Sequence, residues 1–257
     1  MIFLLGVLWT VSVGAQGFGA PDMRAKTAPD FESPAELAEW LTKGMTDPKE
    51  KARALAAWMV YRLERDGFRH QELIRWSNKN RQAPEALNND TFRTRIGTPQ
   101  DFARLYQMLG SAAGLDVHVI DGFAAGDIAA FRYQTPVGQA IEVLTDQWLG
   151  SYHLQRYQAA WNAVLIDDKW HLVDTYWMIA DRDLYAARNV QSAREMSRLL
   201  KRRTQNPPSR QALMRGKRID NRYFFAKPSF FIQTHYPFQA EWQLMPVPWT
   251  WASFVNR

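Results

Sequence analysis

The chain has 257 residues, 46% hydrophobic and 13% aromatic, a composition that excludes intrinsic disorder and suffices for one well-buried core in one or two domains. It contains no cysteine, which excludes disulfides, thiolate metal sites and thiol nucleophiles. The formal net charge of +6 is modest, so the placement of the basic residues matters more than their excess.

The N-terminal segment is an apolar run over residues 1–15 that ends in the small-residue pattern Val13-x-Ala15. Such a run is typical of a signal peptide and is too short to span a bilayer comfortably. We therefore expect export to the periplasm or the extracellular space, with a buried N-terminal strand or helix as the alternative. Residues 16–32 are rich in Gly, Pro, Ala and Asp without periodicity, which predicts a linker.

Two helices are predicted next. Residues 33–36, with Pro34 in the first turn, open a short helix through Leu41. A longer helix begins at Asp47 and ends near Gly67. Its apolar stripe indicates an amphipathic packing helix and consists of Ala52, Leu55, Ala56, Met59, Val60 and Leu63. The polar and aromatic stretch 68–96 predicts a loop and a short helix.

The most strongly specified helix begins at Thr98. Thr98 is a good N-cap, Pro99 suits the first helical position, and Asp101 can reach back to the cap. Gly114 is the predicted stop, and residues 115–120 alternate as a strand does. The apolar positions recur at helical spacing and are Phe102, Leu105, Met108 and Leu109.

A β-hairpin is predicted over residues 159–177, where two β-rich runs flank the turn Asp167-Asp168. Weaker strand signals lie in residues 127–156, most clearly over 139–144. A helix is predicted over 182–203, followed by a break at 206–209.

The basic residues concentrate in residues 188–222, which hold eleven Lys or Arg against two acids, Glu195 and Asp220. This run is interpreted first as a solvated face and second as a docking patch for anionic partners. For an exported protein those partners are envelope lipid head groups or acidic polymers. Nucleic acid is disfavoured because aromatic residues are not interleaved with the basic ones.

Four stretches together resemble transglutaminase-like cysteine proteins, and most closely the kyphoscoliosis peptidase-like branch. The resemblance covers roughly residues 46–66, 97–124, 158–178 and 219–245. The hairpin stretch resembles the family form His-Ala-Trp-Asn-x-Val-x-x-Asp-Gly-x-Trp-x-x-Val-Asp-x-x-Trp. The tail carries Tyr-Phe-x-x-x-Pro, Phe-Ile-x-x-His-x-Pro and Trp-Gln-Leu elements.

The resemblance implies an α+β fold with a papain-like, transglutaminase-like core, in which the central helix packs on an antiparallel sheet containing the hairpin. The implied division is a core over 33–187, a basic helix and loop over 188–218, and a C-terminal segment over 219–257 packed on the core.

The resemblance also implies where the catalytic triad would lie. In the family a Cys opens the central helix, where the helix N-terminus favours its thiolate. The matching positions here are Pro99 for the Cys, Ala159 for the His and Asp174 for the Asp that orients it. Two of the three groups are therefore missing, although the flanking Trp161, Asn162, Trp170, Val173 and Trp177 remain.

Other histidines do not offer an obvious replacement. His153 precedes Ala159 by six residues, about 20 Å along an extended strand. His171 and Asp174 are an odd number of residues apart and face opposite sides of a regular strand. His118 indicates a core or edge position, and His235 corresponds to a tail position interpreted as structural.

Three functions remain open. The first is a catalytically inactive protein that binds a protein or peptide in the former active-site groove, with candidate residues Thr98, Trp161, Asn162, Asp174 and Trp177. The second is an active hydrolase or acyl transferase with a rebuilt, non-Cys site, and the third is a structural envelope component that uses the basic face.

Asp174 is then either a structural carboxylate that accepts hydrogen bonds from an indole or the backbone, or a remnant anion that binds polar ligand groups. No cofactor and no metal is expected, because the chain has no HExxH or paired-carboxylate motif.

Overall fold

The computed structural model describes residues 18–66, 90–124, 158–180 and 192–255. The helices are α1 Gly19–Thr27, α2 Pro34–Thr42, α3 Pro48–Arg62, α4 Thr91–Thr94, α5 Pro99–Ala112, α6 Ala193–Gln205, α7 Arg210–Met214, α8 Pro228–Phe231 and α9 Trp251–Val255, with 3-10 turns at Asn221–Tyr223 and Ala240–Gln243. The strands are β1 Glu64–Arg65, β2 Ile96–Gly97, β3 Asp116–Ala124, β4 Gln158–Ile166, β5 Lys169–Val173, β6 Phe224–Ala226 and β7 His235–Pro237.

A five-stranded antiparallel sheet in the order β6-β5-β4-β3-β7 carries α5 on one face, which confirms the predicted α+β architecture. The predicted hairpin is also confirmed as β4-β5. Its turn residues Asp167 and Asp168 have φ angles of 50° and 58°, the left-handed pair that a tight two-residue hairpin turn requires. The edge strands β6 and β7 both come from the tail, so the tail completes the sheet.

Helix α5 begins and ends as predicted. Thr98 and Asp101 form a reciprocal capping box. At the other end Gly114 has a φ of 76°, and the N–H groups of Gly114 and Leu115 donate to the carbonyls of Ser111 and Gly110, as in a Schellman motif. The predicted apolar face is buried except at Met108, which is 55% exposed.

Helix α3 differs from the prediction in two ways. It ends at Arg62, not near Gly67, because Leu63 is extended and leads into β1, which pairs with β2. It is also buried on every side from Ala52 to Arg62, since α1, α2, α5 and α7 all pack on it. A polar side chain on such a helix needs an internal partner.

The linker predicted over residues 16–32 is wrong where it can be compared, because α1 occupies most of this stretch. Pro21, Ala25 and Ala28 are buried against the core, and the Asp22 carboxylate accepts two hydrogen bonds from the buried Arg53 at 2.6 and 2.8 Å. Small residues and one ion pair hold α1 on α3. The sequence of α1 therefore lacks the apolar periodicity from which a helix is predicted.

The basic run is largely a solvated face, as predicted, because eight of its ten described Lys and Arg residues are exposed and only Arg203 and Lys217 are not. Lys217 is buried and donates to the carbonyl of Leu63, and Arg203 pairs with Glu64. Burial lowers the pKa of Lys217 to about 7; Glu64 opposes this shift and Arg203 adds to it. The helix predicted over 182–203 is present as α6 from Ala193, and the break at 206–209 separates it from α7.

Several predictions lie outside the described residues: the signal peptide over 1–15, the greater part of the loop over 68–96, and the strand signals in 127–156. Within the described ranges, no helix has both the length and the apolar composition needed to cross a membrane.

Candidate functional site

The start of α5 is a closed cap. Thr98 is fully buried, and its hydroxyl donates to Asp101 Oδ2 at 2.8 Å while accepting from the Asp101 N–H at 3.3 Å. Asp101 Oδ2 also accepts the Thr98 N–H at 2.9 Å. Pro99 is buried in the first turn. The Thr98 hydroxyl is therefore committed to its own helix.

The helix start lies against the start of β4. Gln100 Nε2 donates to the Gln158 carbonyl at 3.4 Å, which fixes the first turn of α5 beside the first residue of β4. Pro99 in that first turn and Ala159 at the start of β4 are the residues that the resemblance matches to the family's Cys and His. Ala159 is 5% exposed and has no group that could carry a proton.

Asp174 has a histidine partner that the sequence did not reveal. Its Oδ1 accepts the Trp177 backbone N–H at 2.8 Å, and its Oδ2 lies 3.0 Å from Nε2 of His235 on β7. Both side chains are at most 1% exposed. The backbone interaction agrees with the structural interpretation of Asp174, but an imidazole stands where an indole was expected.

The far side of the imidazole carries a hydroxyl. His235 Nδ1 lies 2.7 Å from Thr234 Oγ1. A carboxylate only accepts, so Nε2 carries the proton, and in the neutral ring Nδ1 then accepts from the Thr234 hydroxyl. Thr234 is only half-buried. The Thr234 hydroxyl, the His235 imidazole and the Asp174 carboxylate are therefore connected in series by two contacts.

Aromatic rings enclose His235. Phe231 stacks on the imidazole with ring centroids 4.0 Å apart, and the rings of Trp177, Trp161 and Tyr223 lie 4.8, 5.1 and 5.8 Å away. The imidazole is thus fixed from several sides. Local sequence could not have placed it here, because the pairing of β7 with β3 brings a tail residue to Asp174. The resemblance did contain a signal, because it matches Ala159 to the histidine that pairs with the Asp. A buried Asp174 without that histidine needs a hydrogen-bond donor from elsewhere in the chain.

The other groove candidates are mostly internal. Asn162 is fully buried, and its Nδ2 donates to the carbonyls of Ala103 and His118 at 3.0 and 3.3 Å, which fastens α5 to the sheet. Trp161 is 1% exposed. Trp177 is the one of the five candidates that keeps partial exposure, so ligand binding at this place stays a prediction that depends on Trp177.

Two of the remaining histidines have other surroundings. His118 is half-buried and stacks on Trp242 at 4.2 Å between ring centroids. Burial lowers the pKa of His171, which packs against Phe225. In the part of the chain that the structure describes, no three His, Asp or Glu side chains come together as metal ligands.

A family model described as the transglutaminase-like superfamily matches residues 35–175, more than half of the chain. The chain belongs to the transglutaminase-like superfamily. The match runs from α2 past β5 and includes Pro99, Ala159 and Asp174, the three residues that the resemblance matches to the catalytic triad.

Individual relatives agree with this transglutaminase-like assignment. Human Kyphoscoliosis peptidase is 25% identical over 250 residues, covering 97% of this chain and 30% of the relative. Hillarin of Drosophila melanogaster is 29% identical over 152 residues, covering 59% of this chain and 14% of the relative. The chain thus spans less than a third of these relatives' length. A solved structure described as a TGase covers 72% of this chain and 38% of its own, with a TM-score of 0.35 and 15% identity.

Proposed function

We propose that this chain is a catalytically inactive transglutaminase-like domain that acts as a binding or scaffold module outside the cytoplasm. The proposal rests on which residues stand at the three positions of the family's catalytic triad. The nucleophile position is Pro99, the base position is Ala159, and Asp174 is engaged by His235. Cysteine-based acyl transfer needs a thiolate next to an imidazole, and this chain has no thiol.

The surroundings support the same proposal. Thr98, the hydroxyl nearest the nucleophile position, is fully buried and bonded to Asp101. A helix that opens with a capping box and a proline is built for stability. The scaffold around the lost chemistry is kept, which favours recognition over turnover.

The partners follow from the surfaces that remain. We propose a protein or peptide ligand at the former groove, contacted first by the partly exposed Trp177. Anionic envelope surfaces are a further candidate, through the exposed part of the basic run 188–222. The location outside the cytoplasm rests on the apolar run over residues 1–15.

A second function is favoured by one specific observation, the line from Thr234 through His235 to Asp174. A hydroxyl 2.7 Å from an imidazole that is held by a carboxylate has the parts of an activated nucleophile. In such a hydrolase, Thr234 Oγ would attack an ester or amide carbonyl and pass its proton to His235 Nδ1. The leaving group would depart with that proton, and water would release the acyl group.

The two functions are separated by covalent labelling. We expect no adduct on the purified protein after incubation with a fluorophosphonate or a chromogenic ester, measured by intact mass, because the hydroxyl serves to fix the imidazole. Thr234→Val, which removes the hydroxyl but keeps the branched shape, is the control, and Thr234→Ser keeps the hydroxyl. An adduct on Thr234 that Thr234→Val abolishes and Thr234→Ser retains would replace the inactive assignment with the hydrolase.

A further inference from the structure

Two buried guanidinium groups lie side by side near the turn between α1 and α2. Arg62, the last residue of α3, is 1% exposed, and Arg95, which follows α4, is 6% exposed. The Arg95 guanidinium lies over the rings of Trp58 and Phe92, 4.9 and 4.7 Å from their centroids. These contacts hold the charge in a fixed place.

The pair shares one loosely held carboxylate. Arg62 Nη1 and Arg95 Nη2 both lie 3.5 Å from the same oxygen, Oδ1 of Asp30. Charge-assisted hydrogen bonds are normally shorter, at about 2.7–2.9 Å. The Asp30 side chain is itself 72% exposed. The exposed Asp30 Oδ1 is therefore the shared acceptor of the buried Arg62 and Arg95 guanidiniums.

Donors are left over on both guanidiniums. Among the described residues, Arg62 Nε and Arg95 Nη1 are buried and have no hydrogen-bond partner, while Arg62 Nη2 donates to the Ala28 carbonyl. Arg210 brings a third positive charge close by, where its Nη1 donates to the Thr27 carbonyl at 3.1 Å. Burial lowers the pKa of Arg95 to about 10, with Asp30 and, more weakly, Asp90 opposing the shift, so three arginines here face two carboxylates. Positive charge is thus in excess here.

We propose that Arg62 and Arg95 form a binding site for a phosphate group, and that Asp30 occupies this site as an internal stand-in. A tetrahedral phosphate offers a separate oxygen to each guanidinium fork and up to two negative charges, whereas Asp30 offers both arginines one shared oxygen. The ligand displaces the Asp30 carboxylate, which already faces solvent. The site is distinct from the Asp174–His235 pair and does not depend on the proposed function.

The test is isothermal titration calorimetry of the full chain with inorganic phosphate at constant ionic strength. Asp30→Asn removes the stand-in charge, and Glu36→Gln, at an exposed position on α2, removes the same charge elsewhere as the matched control. We expect Asp30→Asn to tighten phosphate binding at least tenfold, and Glu36→Gln to change it less than twofold. Adding Arg95→Lys to Asp30→Asn should abolish the gain.

Equal phosphate affinity in the wild type, Asp30→Asn and Glu36→Gln would overturn the proposal, as would the absence of saturable binding to folded Asp30→Asn. Should the Arg95→Lys variant not fold, the phosphate-dependent rise in the Tm of Asp30→Asn over that of Glu36→Gln gives the same decision. Vesicles of phosphatidylglycerol in phosphatidylcholine distinguish the source. Vesicle binding that is tighter for Asp30→Asn than for Glu36→Gln assigns the site to a lipid head group, since both variants keep the basic run 188–222. A difference between the two variants with inorganic phosphate alone assigns the site to a soluble phosphate.

Discussion

Replacement of His235 by alanine is expected to lower the free energy of unfolding by about 3–5 kcal/mol, because the buried Asp174 carboxylate loses the imidazole N–H that donates to it. Asp174 is 1% exposed, so its carboxylate depends on internal partners for its hydrogen bonds. The variant also leaves a cavity beneath Phe231 and Trp161, which adds to the loss. Denaturation with urea, followed by tryptophan fluorescence, measures the change.

The matched control is His118→Ala. His118 also stacks on an aromatic ring but is half-buried, so its loss should cost about 1 kcal/mol. Adding Asp174→Asn to His235→Ala should recover part of the stability, since removing the buried charge together with its partner is less costly than removing the partner alone. Equal losses for His235→Ala and His118→Ala would show that Asp174 does not depend on His235.

Substitution of Gly122 by alanine is expected to be the second most damaging change. A Cβ at Gly122 would lie 2.4 Å from Trp161 Cη2, 2.4 Å from the Tyr236 carbonyl oxygen and 2.8 Å from Pro237 Cα. Two of these atoms are backbone atoms of β7, so relief requires β7 to move away from β3. We expect a loss of about 3 kcal/mol, the upper range for overpacking.

The effect of Gly122→Ala should reach the candidate site, because His235 lies on the strand that must move. The near-ultraviolet circular dichroism of Trp161 and its neighbours should therefore change along with stability. Gly19→Ala is the control, since a Cβ there meets nothing within 4 Å. A Gly122→Ala protein as stable as Gly19→Ala would contradict the close approach of β3 and β7.

The features that the sequence predicted are those encoded locally. Thr98, Pro99 and Asp101 specify the start of α5 within one turn, and the Asp167-Asp168 turn specifies the β4-β5 hairpin. The family motifs then placed these elements in one core, and the structure agrees. Such signals need no knowledge of distant residues.

The features that the sequence missed depend on contacts between distant residues. Helix α1 is held by the ion pair of Asp22 with Arg53 and has no apolar stripe of its own. His235 meets Asp174 only because β7 joins the far edge of the sheet. In both cases the contacting residue lies dozens of positions away along the chain. Periodicity within one element does not indicate which distant residue it will contact.

These two omissions have one consequence for the candidate site. The sequence left Asp174 as either a structural carboxylate bonded to an indole or the backbone, or a remnant anion that binds polar ligand groups. In the folded chain the tail supplies an imidazole to that carboxylate, and the aromatic rings around it close the space. The ligand predicted at this place would therefore contact Trp177, which is partly exposed, and would not reach the buried Asp174.

We infer that Pro99, Ala159 and Asp174 occupy the family's triad positions and that the missing thiol and imidazole abolish the family's chemistry in this chain. The direct measurement is the rate of alkylation by iodoacetamide at neutral pH in variants of this otherwise cysteine-free chain. Pro99→Cys alone should react as an ordinary thiol, because Ala159 cannot take its proton. Pro99→Cys with Ala159→His should react more than tenfold faster.

Pro99→Cys with Ala159→Gln is the control, since glutamine is of similar size but is not a base. Asp174 keeps acceptor capacity for a further donor, because a carboxylate accepts about four hydrogen bonds and the described residues supply two. The account predicts fast alkylation for the Cys–His pair alone. Equal rates in all three folded variants would contradict the placement of the triad positions and with it the interpretation of this chain as an inactive member of its family.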